Sequence, residues 1–240
     1  MLADYYGELA QGILRTAQER QCNLLLACGT SPSEFPIVVR PAFPIHDPSV
    51  DYLPVGEWNT DGLILAHPLI GKPVLDYAEK LRAANFPLVI VGGADAVSSV
   101  QIDNASGIQQ AMAHLLEHGH ESIAFIGGHA ADGGGDNRQA LRADQDFLHQ
   151  HRLNDNPALI QLGDYAFDGG AQAARKFIQA DASFTAILVN GDKTALGAIH
   201  ALSEAGLSVP DDVAVIPFDE NADAAPRPPP LTPTGFFAFW

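Results

Sequence analysis

Residues 100–128 read VQIDNASGIQQAMAHLLEHGHESIAFIGG, and this stretch decides the fold. It opens on a short strand-like piece, Val100 to Ile102, and then changes period. Ile108, Met112 and Leu115 recur three and four residues apart, which sets them on one stripe of a helix beginning near Asp103 or Asn104. Asp103 has the short acceptor side chain that suits an N-cap, and Gly119 stands where a helix closes on a left-handed residue. Ile123 to Ile126 follows as an unbroken apolar run of strand length. A strand that is apolar on both faces must be covered on both, which is the condition of a parallel sheet clad with helices.

The same alternation extends outward. Upstream, Leu9, Ile13, Leu14 and Ala17 mark a helix from Tyr6 to about Ala17, followed by an apolar run, Asn23 to Ala27, that reads as a buried strand. Residues 29–60 are rich in Pro, Ser and Gly and read as a long loop with one short element. Strands at Gly62 to Ala66 and Pro87 to Val91 then flank a helix from Val74 to Ala84. Downstream the strands are Leu159 to Gln161, Ala186 to Val189 and Val213 to Ile216, with helices near 138–151, 170–179 and 193–205, the last closed by Gly206. The reading is an α/β protein of two Rossmann-like lobes with parallel sheets. The first lobe covers residues 1–118, the second 119–234, and residues 235–240 form an apolar tail.

Composition restricts the partners. The 240 residues carry 29 Asp and Glu against 13 Lys and Arg, a formal charge of -16, with the basic residues scattered. Such a surface repels phosphate backbones and anionic lipid, so these residues do not grip DNA or a membrane. The two cysteines, Cys22 and Cys28, flank the run Asn23 to Ala27. At the ends of a strand they would lie roughly 20 Å apart, too far for a disulfide, and free thiols point to a reducing compartment. No basic-then-apolar leader opens the sequence, and the apolar runs are far shorter than the ~20 residues of a membrane span. The expectation is a cytoplasmic protein.

Parallel α/β sheets bind ligands at the carboxyl ends of their strands. The residues just beyond those ends include Asp103, Arg138 on the loop after Ile126, Asp164, Tyr165, Asp192 and Asp219. Carboxylates, a guanidinium and an aromatic face converging on one cleft suit a polyhydroxylated ligand, since carboxylates accept hydroxyl protons and rings cover C–H surfaces. A carboxylate after a strand also serves simply to cap the next helix, and that alternative stands beside each aspartate. Two chemical motifs compete. His114-Leu-Leu-Glu117-His118 has the H-x-x-E-H pattern of a zinc peptidase, but a third ligand is not in evidence, and histidines near a helix C-terminus are favoured by its dipole. Asp132-Gly-Gly-Gly-Asp136 lacks the Lys-Ser/Thr of a phosphate loop and carries two carboxylates that phosphate would avoid. No metal, no cofactor and no catalytic residue is expected, and the chain does not read as an enzyme.

The residues 100–128 also resemble the central signature of the LacI/GalR family of bacterial transcription regulators. Three further stretches agree with it in order and spacing: Gly163-Asp-Tyr165-Ala-Phe167 with Gly170 and Ala174; Ala186 to Gly197, ending Asp192-Lys-Thr-Ala195-Leu-Gly197; and Val209-Pro-Asp-Asp-Val213 leading to Phe218-Asp219 and Pro229-Pro-Leu-Thr232. The resemblance implies a two-lobed fold like the type I periplasmic binding proteins, with a small-molecule effector, a sugar or related metabolite, between the lobes. It implies a homodimer, and contact with DNA only through a head domain that this sequence does not contain. Carried over position by position, Tyr5 and Tyr6 present rings to the effector and Asp103 is a cleft carboxylate. Tyr165 is a stacking aromatic, Arg138 a clamp for hydroxyl or carboxylate groups, and Asp219 a holder of ligand hydroxyls, with Asp192 a further candidate.

Three departures bear on the ligand. Gly191 stands where the family usually has an asparagine that contacts it, and Pro217 replaces the usual glycine before Phe218. The helix after Arg138 fits only with a shift of about two residues. At the ends, the head domain and a first strand expected before Tyr5 are missing, and Gly235 to Trp240 has no family counterpart. The sequence reads as the effector-sensing part of a transcription regulator. The alternatives are the input domain of another signalling protein, or a solute-binding protein of a sugar transporter.

Overall fold

The computed structural model of the chain describes residues 2–26, 28–30, 39–41, 56–66, 72–91, 98–128, 136–180 and 183–217, with backbone alone at 2–6, 28–30, 39–41, 72–75 and 136. The chain divides into two compact units, Met1–Gln101 and Ile102–Trp240.

The first unit contains α1 (Leu2–Glu19) and an antiparallel pair, β1 (Cys28–Thr30) with β2 (Val39–Pro41). It also holds a three-stranded parallel sheet in the order β3 (Leu63–Ala66), β4 (Leu88–Val91), β5 (Ser99–Val100), with α2 (Lys72–Ala83) between the first two strands. Its described core is small: Leu63, Leu65 and Ile90 from the sheet meet Tyr77, Ala78 and Leu81 from α2. Tyr77 donates its hydroxyl proton to Glu57 Oε2 at 2.5 Å, and Lys80 Nζ reaches Glu57 Oε1 at 3.1 Å, so α2 is fastened to the turn before β3. The tyrosine hydrogen bond, more than any other cause, holds the Glu57 carboxyl below its ordinary range.

The expected strand over Asn23 to Ala27 does not form at the described residues Asn23–Leu26, and Leu24, Leu25 and Leu26 are 41%, 52% and 65% exposed. An apolar run becomes a strand only where neighbouring strands offer a ladder, and these residues pair with none among the described residues. Cys22, just before the run, is an exposed free thiol.

In the second unit α3 (Asn104–Glu117) leads to a four-stranded, wholly parallel sheet in the order β7-β6-β8-β9. Those strands are β6 (Ile123–Gly127), β7 (Ile160–Leu162), β8 (Ala186–Val189) and β9 (Ala214–Pro217), connected by α4 (Asp136–His151), α5 (Phe167–Gln179) and α6 (Asp192–Glu204). Alternation along each strand assigns the two faces. Ile123, Phe125, Ala186, Leu188 and Ile216 pack with α3 and α4. Ala124, Ile126, Ile187, Val189 and Val215 pack with α5 and α6. Every residue of β6 and β8 is buried, which is why these strands read as continuous apolar runs.

The division of the chain falls earlier than the junction expected near Gly119. Ile108, Ala111, Met112 and Leu115 of α3 are buried in the same cluster as Phe125 and Leu188, so α3 belongs to the second unit's core. Sequence order had attached this helix to what precedes it, but burial of its apolar stripe decides membership. Its end forms as expected: Gly119 sits at φ 86°, with Gly119 N–H on Leu116 O at 2.9 Å and His120 N–H on Leu115 O at 3.0 Å. Gly119→Ala should cost about 1–2 kcal/mol through the left-handed backbone alone, read as a lower urea midpoint with an unchanged slope. Among the described residues no helix is long and apolar enough to cross a membrane.

Candidate functional site

The four helices of the second unit start at one edge of its sheet. α4, α5 and α6 each follow a strand, so their N-termini lie at the carboxyl ends. α3 runs back to the amino edge, where His120 Nδ1 lies 2.9 Å from Thr185 Oγ1 just ahead of β8. Helix N-termini present unpaired N–H groups and partial positive charge, so this edge favours acceptor groups on a ligand.

The loops at this edge are tightly built. Beyond β6, Gly128 N–H donates to the buried Asn137 Oδ1 at 2.7 Å, and a Cβ on Gly127 would fall 2.6 Å from that oxygen. Asn137, in the first turn of α4, therefore pins the chain leaving β6. Beyond β7, Asp164 and Tyr165 both adopt left-handed backbone, at φ 52° and 55°. Two successive non-glycine residues in that region are strained, and surrounding contacts must hold them there. The strain lays the half-buried Tyr165 ring across Gly128, where a Cβ would lie 2.1 Å from Cζ, and beside Gly191, 3.6 Å from Cδ1. Beyond β8, Asn190 N–H donates to Ile126 O at 2.8 Å, and Gly191 turns at φ 100° into α6. Asp192, at 8% exposed, is the first residue of that helix, and Thr194 is fully buried behind it.

Small residues make this geometry possible. A Cβ on Gly170 would sit 1.9 Å from Thr194 O, and one on Gly197 1.9 Å from Phe167 O. The starts of α5 and α6 thus touch backbone to backbone, which carries the Tyr165 loop against Gly191. The departure from asparagine at Gly191 has a local explanation: φ 100° favours glycine, and the place beside it is taken by the Tyr165 ring.

Of the residues singled out from sequence, Tyr165 and Asp192 meet at this edge. Asp103 caps α3, its Oδ1 accepting from Ser106 N–H at 3.0 Å, so the capping role is realised there. Arg138 is not on a loop: α4 starts at Asp136 and includes it in the first turn, exposed. A cation there opposes the helix dipole, so helix stability does not account for it. Tyr5 and Tyr6 lie in α1, where the backbone alone is described, and Asp219, the tail 235–240 and the glycine loop 132–135 lie outside the described residues. Sequence reading passed over Asn137, Asn190 and Thr194. Their signal was a polar residue directly after a strand or in the next helix's first turn, at positions that turned out buried. The His114 and His118 rings lie 4.3 Å apart between centroids with their planes tilted by 45°, and among the described residues no three metal-ligating side chains converge.

Comparison with known proteins places this geometry among relatives. The model of the periplasmic binding protein-like domain matches residues 112–234. Catabolite control protein A of Priestia megaterium is 29% identical over 177 residues, covering 72% of this chain and 52% of that protein. The transcriptional regulator AscG of Escherichia coli is 30% identical over 231 residues, covering 95% of this chain and 64% of that protein. The chain thus spans about half the length of the first and under two thirds of the second. Among solved structures, a transcriptional regulator CelR in complex with cellobiose superposes with a TM-score of 0.64 at 28% identity, over 73% of this chain and 54% of that one. These relatives are regulators, not enzymes.

Proposed function

The chain belongs to the periplasmic binding protein-like domain family, in the branch of the LacI-type transcription regulators, and from that premise we propose that it is an effector-sensing domain that binds a small polyhydroxylated ligand without transforming it. The observation that carries this reading is the carboxyl edge of the second unit. There an aromatic face is held by strained backbone over two glycines, next to a buried carboxylate at the head of α6. The start of α6 favours a carboxylate at Asp192 by itself, but it does not call for the Tyr165 ring beside it, whereas a sugar ring needs both a flat apolar face and hydroxyl acceptors. The cellobiose held by the CelR structure supports a sugar as the ligand class. Relatives that are regulators favour this role over a transporter's solute-binding protein.

In this reading Tyr5, Tyr6 and Tyr165 cover the ligand's C–H faces. Asp103, Asp192 and Asp219 accept hydroxyl protons, and Arg138 donates a fork. Asp103 has one oxygen committed to Ser106, so its part is made with the other. The two units act as lobes, the protein works as a dimer, and DNA is met through a separate head. The chain alone, at a net charge of -16, does not bind duplex DNA.

Calorimetric titration against mono- and disaccharides, polyols and nucleobases tests the proposal. Losing one charged hydrogen bond to a bound ligand costs about 1.5–3 kcal/mol, so Asp219→Ala should weaken the best ligand by roughly ten- to 150-fold with the fold intact. Glu117→Ala, exposed at the far end of α3, should change nothing. Equal affinity in Asp219→Ala, Asp192→Ala and the parent would show that the ligand binds elsewhere, and a turnover product would overturn the reading altogether.

A further inference from the structure

Asp144 of α4 is 1% exposed, and neither of its carboxylate oxygens is open to solvent or has a hydrogen-bond partner among the described residues. The layer toward which α4 turns this face is hydrocarbon: Ala140 and Phe147 of the helix itself, Met112 and Leu115 of α3, and Ile123 and Phe125 of β6. A carboxyl so placed is at home only as the neutral acid, and burial alone pushes its pKa up to about 7, with no neighbouring charge adding to the shift.

Solvent is close by. A cavity of about 320 Å³ lies against α4 where β6 and β7 begin, and Asp144 is part of its wall. Its titratable side chains are Asp146, His149 and Asp155, all on the exposed rim, while the strands add only Ile123 and Ile160. Because both Asp144 oxygens are closed off, the carboxylate meets that solvent only if α4 shifts. Asn137, Ala140 and Asp144 are buried three and four residues apart, on one stripe of the helix. A shift at Asp144 therefore carries Asn137 with it, about 10 Å along the axis. Asn137 Oδ1 holds Gly128 N–H at 2.7 Å, and the Tyr165 ring lies on Gly128.

We propose that α4 is a proton-controlled element. With Asp144 neutral the helix is seated; when the carboxyl loses its proton the helix shifts to admit solvent, loosening the Asn137–Gly128 bond and the seat of the Tyr165 ring. The seated state holds the Asp144 proton between roughly pH 4 and 7 and the shifted state has lost it, so the shifted state gains about tenfold per pH unit over that range and levels off above it. A ligand that needs the seated ring is then held less well as pH rises, and reciprocally keeps the proton on Asp144. That consequence rests on the function proposed above; the movement itself does not.

Amide hydrogen exchange of the whole chain, followed by NMR between about pH 5 and 7, tests the movement without any ligand. Expressed as a protection factor, which removes the intrinsic pH dependence of exchange, the Gly128 N–H should lose about tenfold per pH unit, roughly 100-fold over the range. Asp144→Asn keeps the shape but cannot ionise, and should hold the protection level. His129, next in the chain to Gly128, titrates in both proteins and cancels in the comparison. Global unfolding also frees Asp144, so the amides of β8, buried along its whole length, are the reference. Gly128 should remain at least about tenfold less protected than they are at every pH. Level protection in the parent, the same fall in Asp144→Asn, or protection of Gly128 equal to that of β8 would each overturn the proposal. The first and last need no variant, and all three leave sugar binding to be judged by its own titration.

Discussion

Leucine in place of Asp144 is expected to stabilise the chain by about 4 kcal/mol at pH 8. The parent's Asp144 carboxyl is raised by burial from 3.8 to about 7, and each unit of pKa is worth about 1.4 kcal/mol between folded and unfolded states. The sign follows from which state holds the proton. Between roughly pH 4 and 7 the folded chain keeps this proton and the unfolded chain has lost it, so this group's contribution falls by about 1.4 kcal/mol per pH unit as pH rises. It is fully present below about pH 4 and gone above about pH 7. The chain's other carboxylates titrate too, so the quantity to measure is the difference between variant and parent in urea unfolding across the range. That difference should be largest at high pH and shrink toward the apolar gain of leucine alone as pH falls to about 4. A constant difference, or one that grows in acid, would mean that Asp144 is ionised and satisfied in the fold.

The second large effect is expected where α5 and α6 touch. Gly170→Val should destabilise the second unit by about 3 kcal/mol or more, at or beyond the usual range for overpacking. The new Cβ would meet the Thr194 carbonyl oxygen at 1.9 Å, and that backbone atom cannot swing aside as a side chain would. The helices must part, and their parting moves the Tyr165 loop off Gly191, so ligand affinity should fall with stability. Gly12→Ala is the contrast: this glycine lies within α1 with nothing inside 4 Å of a Cβ, and alanine there should gain about 0.5–1 kcal/mol. Circular dichroism melts of the two variants should move in opposite directions. A neutral Gly170→Val would mean that α5 and α6 are not in backbone contact.

Much of the second unit was legible in the chain. The continuous runs at Ile123–Ile126 and Ala186–Val189 admit one environment, a strand covered on both faces, and the helical stripe of α3 ends on a glycine with the left-handed geometry a cap needs. Asp144 was legible too, and missed. It falls four residues after Ala140 and three before Phe147, on the buried stripe of its helix, but a lone aspartate between Arg142 and Asp146 invites the reading of a solvated face. Other features had no local signature. That Asp103 caps α3 is not written in its position alone; the Ser106 N–H on its Oδ1 shows it, and leaves the other oxygen uncommitted to the cap.

By itself the sequence determined the order and type of the second unit's strands and helices, because hydrophobic period and capping residues act within a few residues of one another. Only the tertiary structure decided which sheet α3 joins, that Leu24 to Leu26 form no strand, and that Tyr165 lies over Gly128 and Gly191. Each of those outcomes depends on groups distant in the chain competing for the same buried volume or the same backbone hydrogen bonds, and close packing settles that competition only when all the elements are in place.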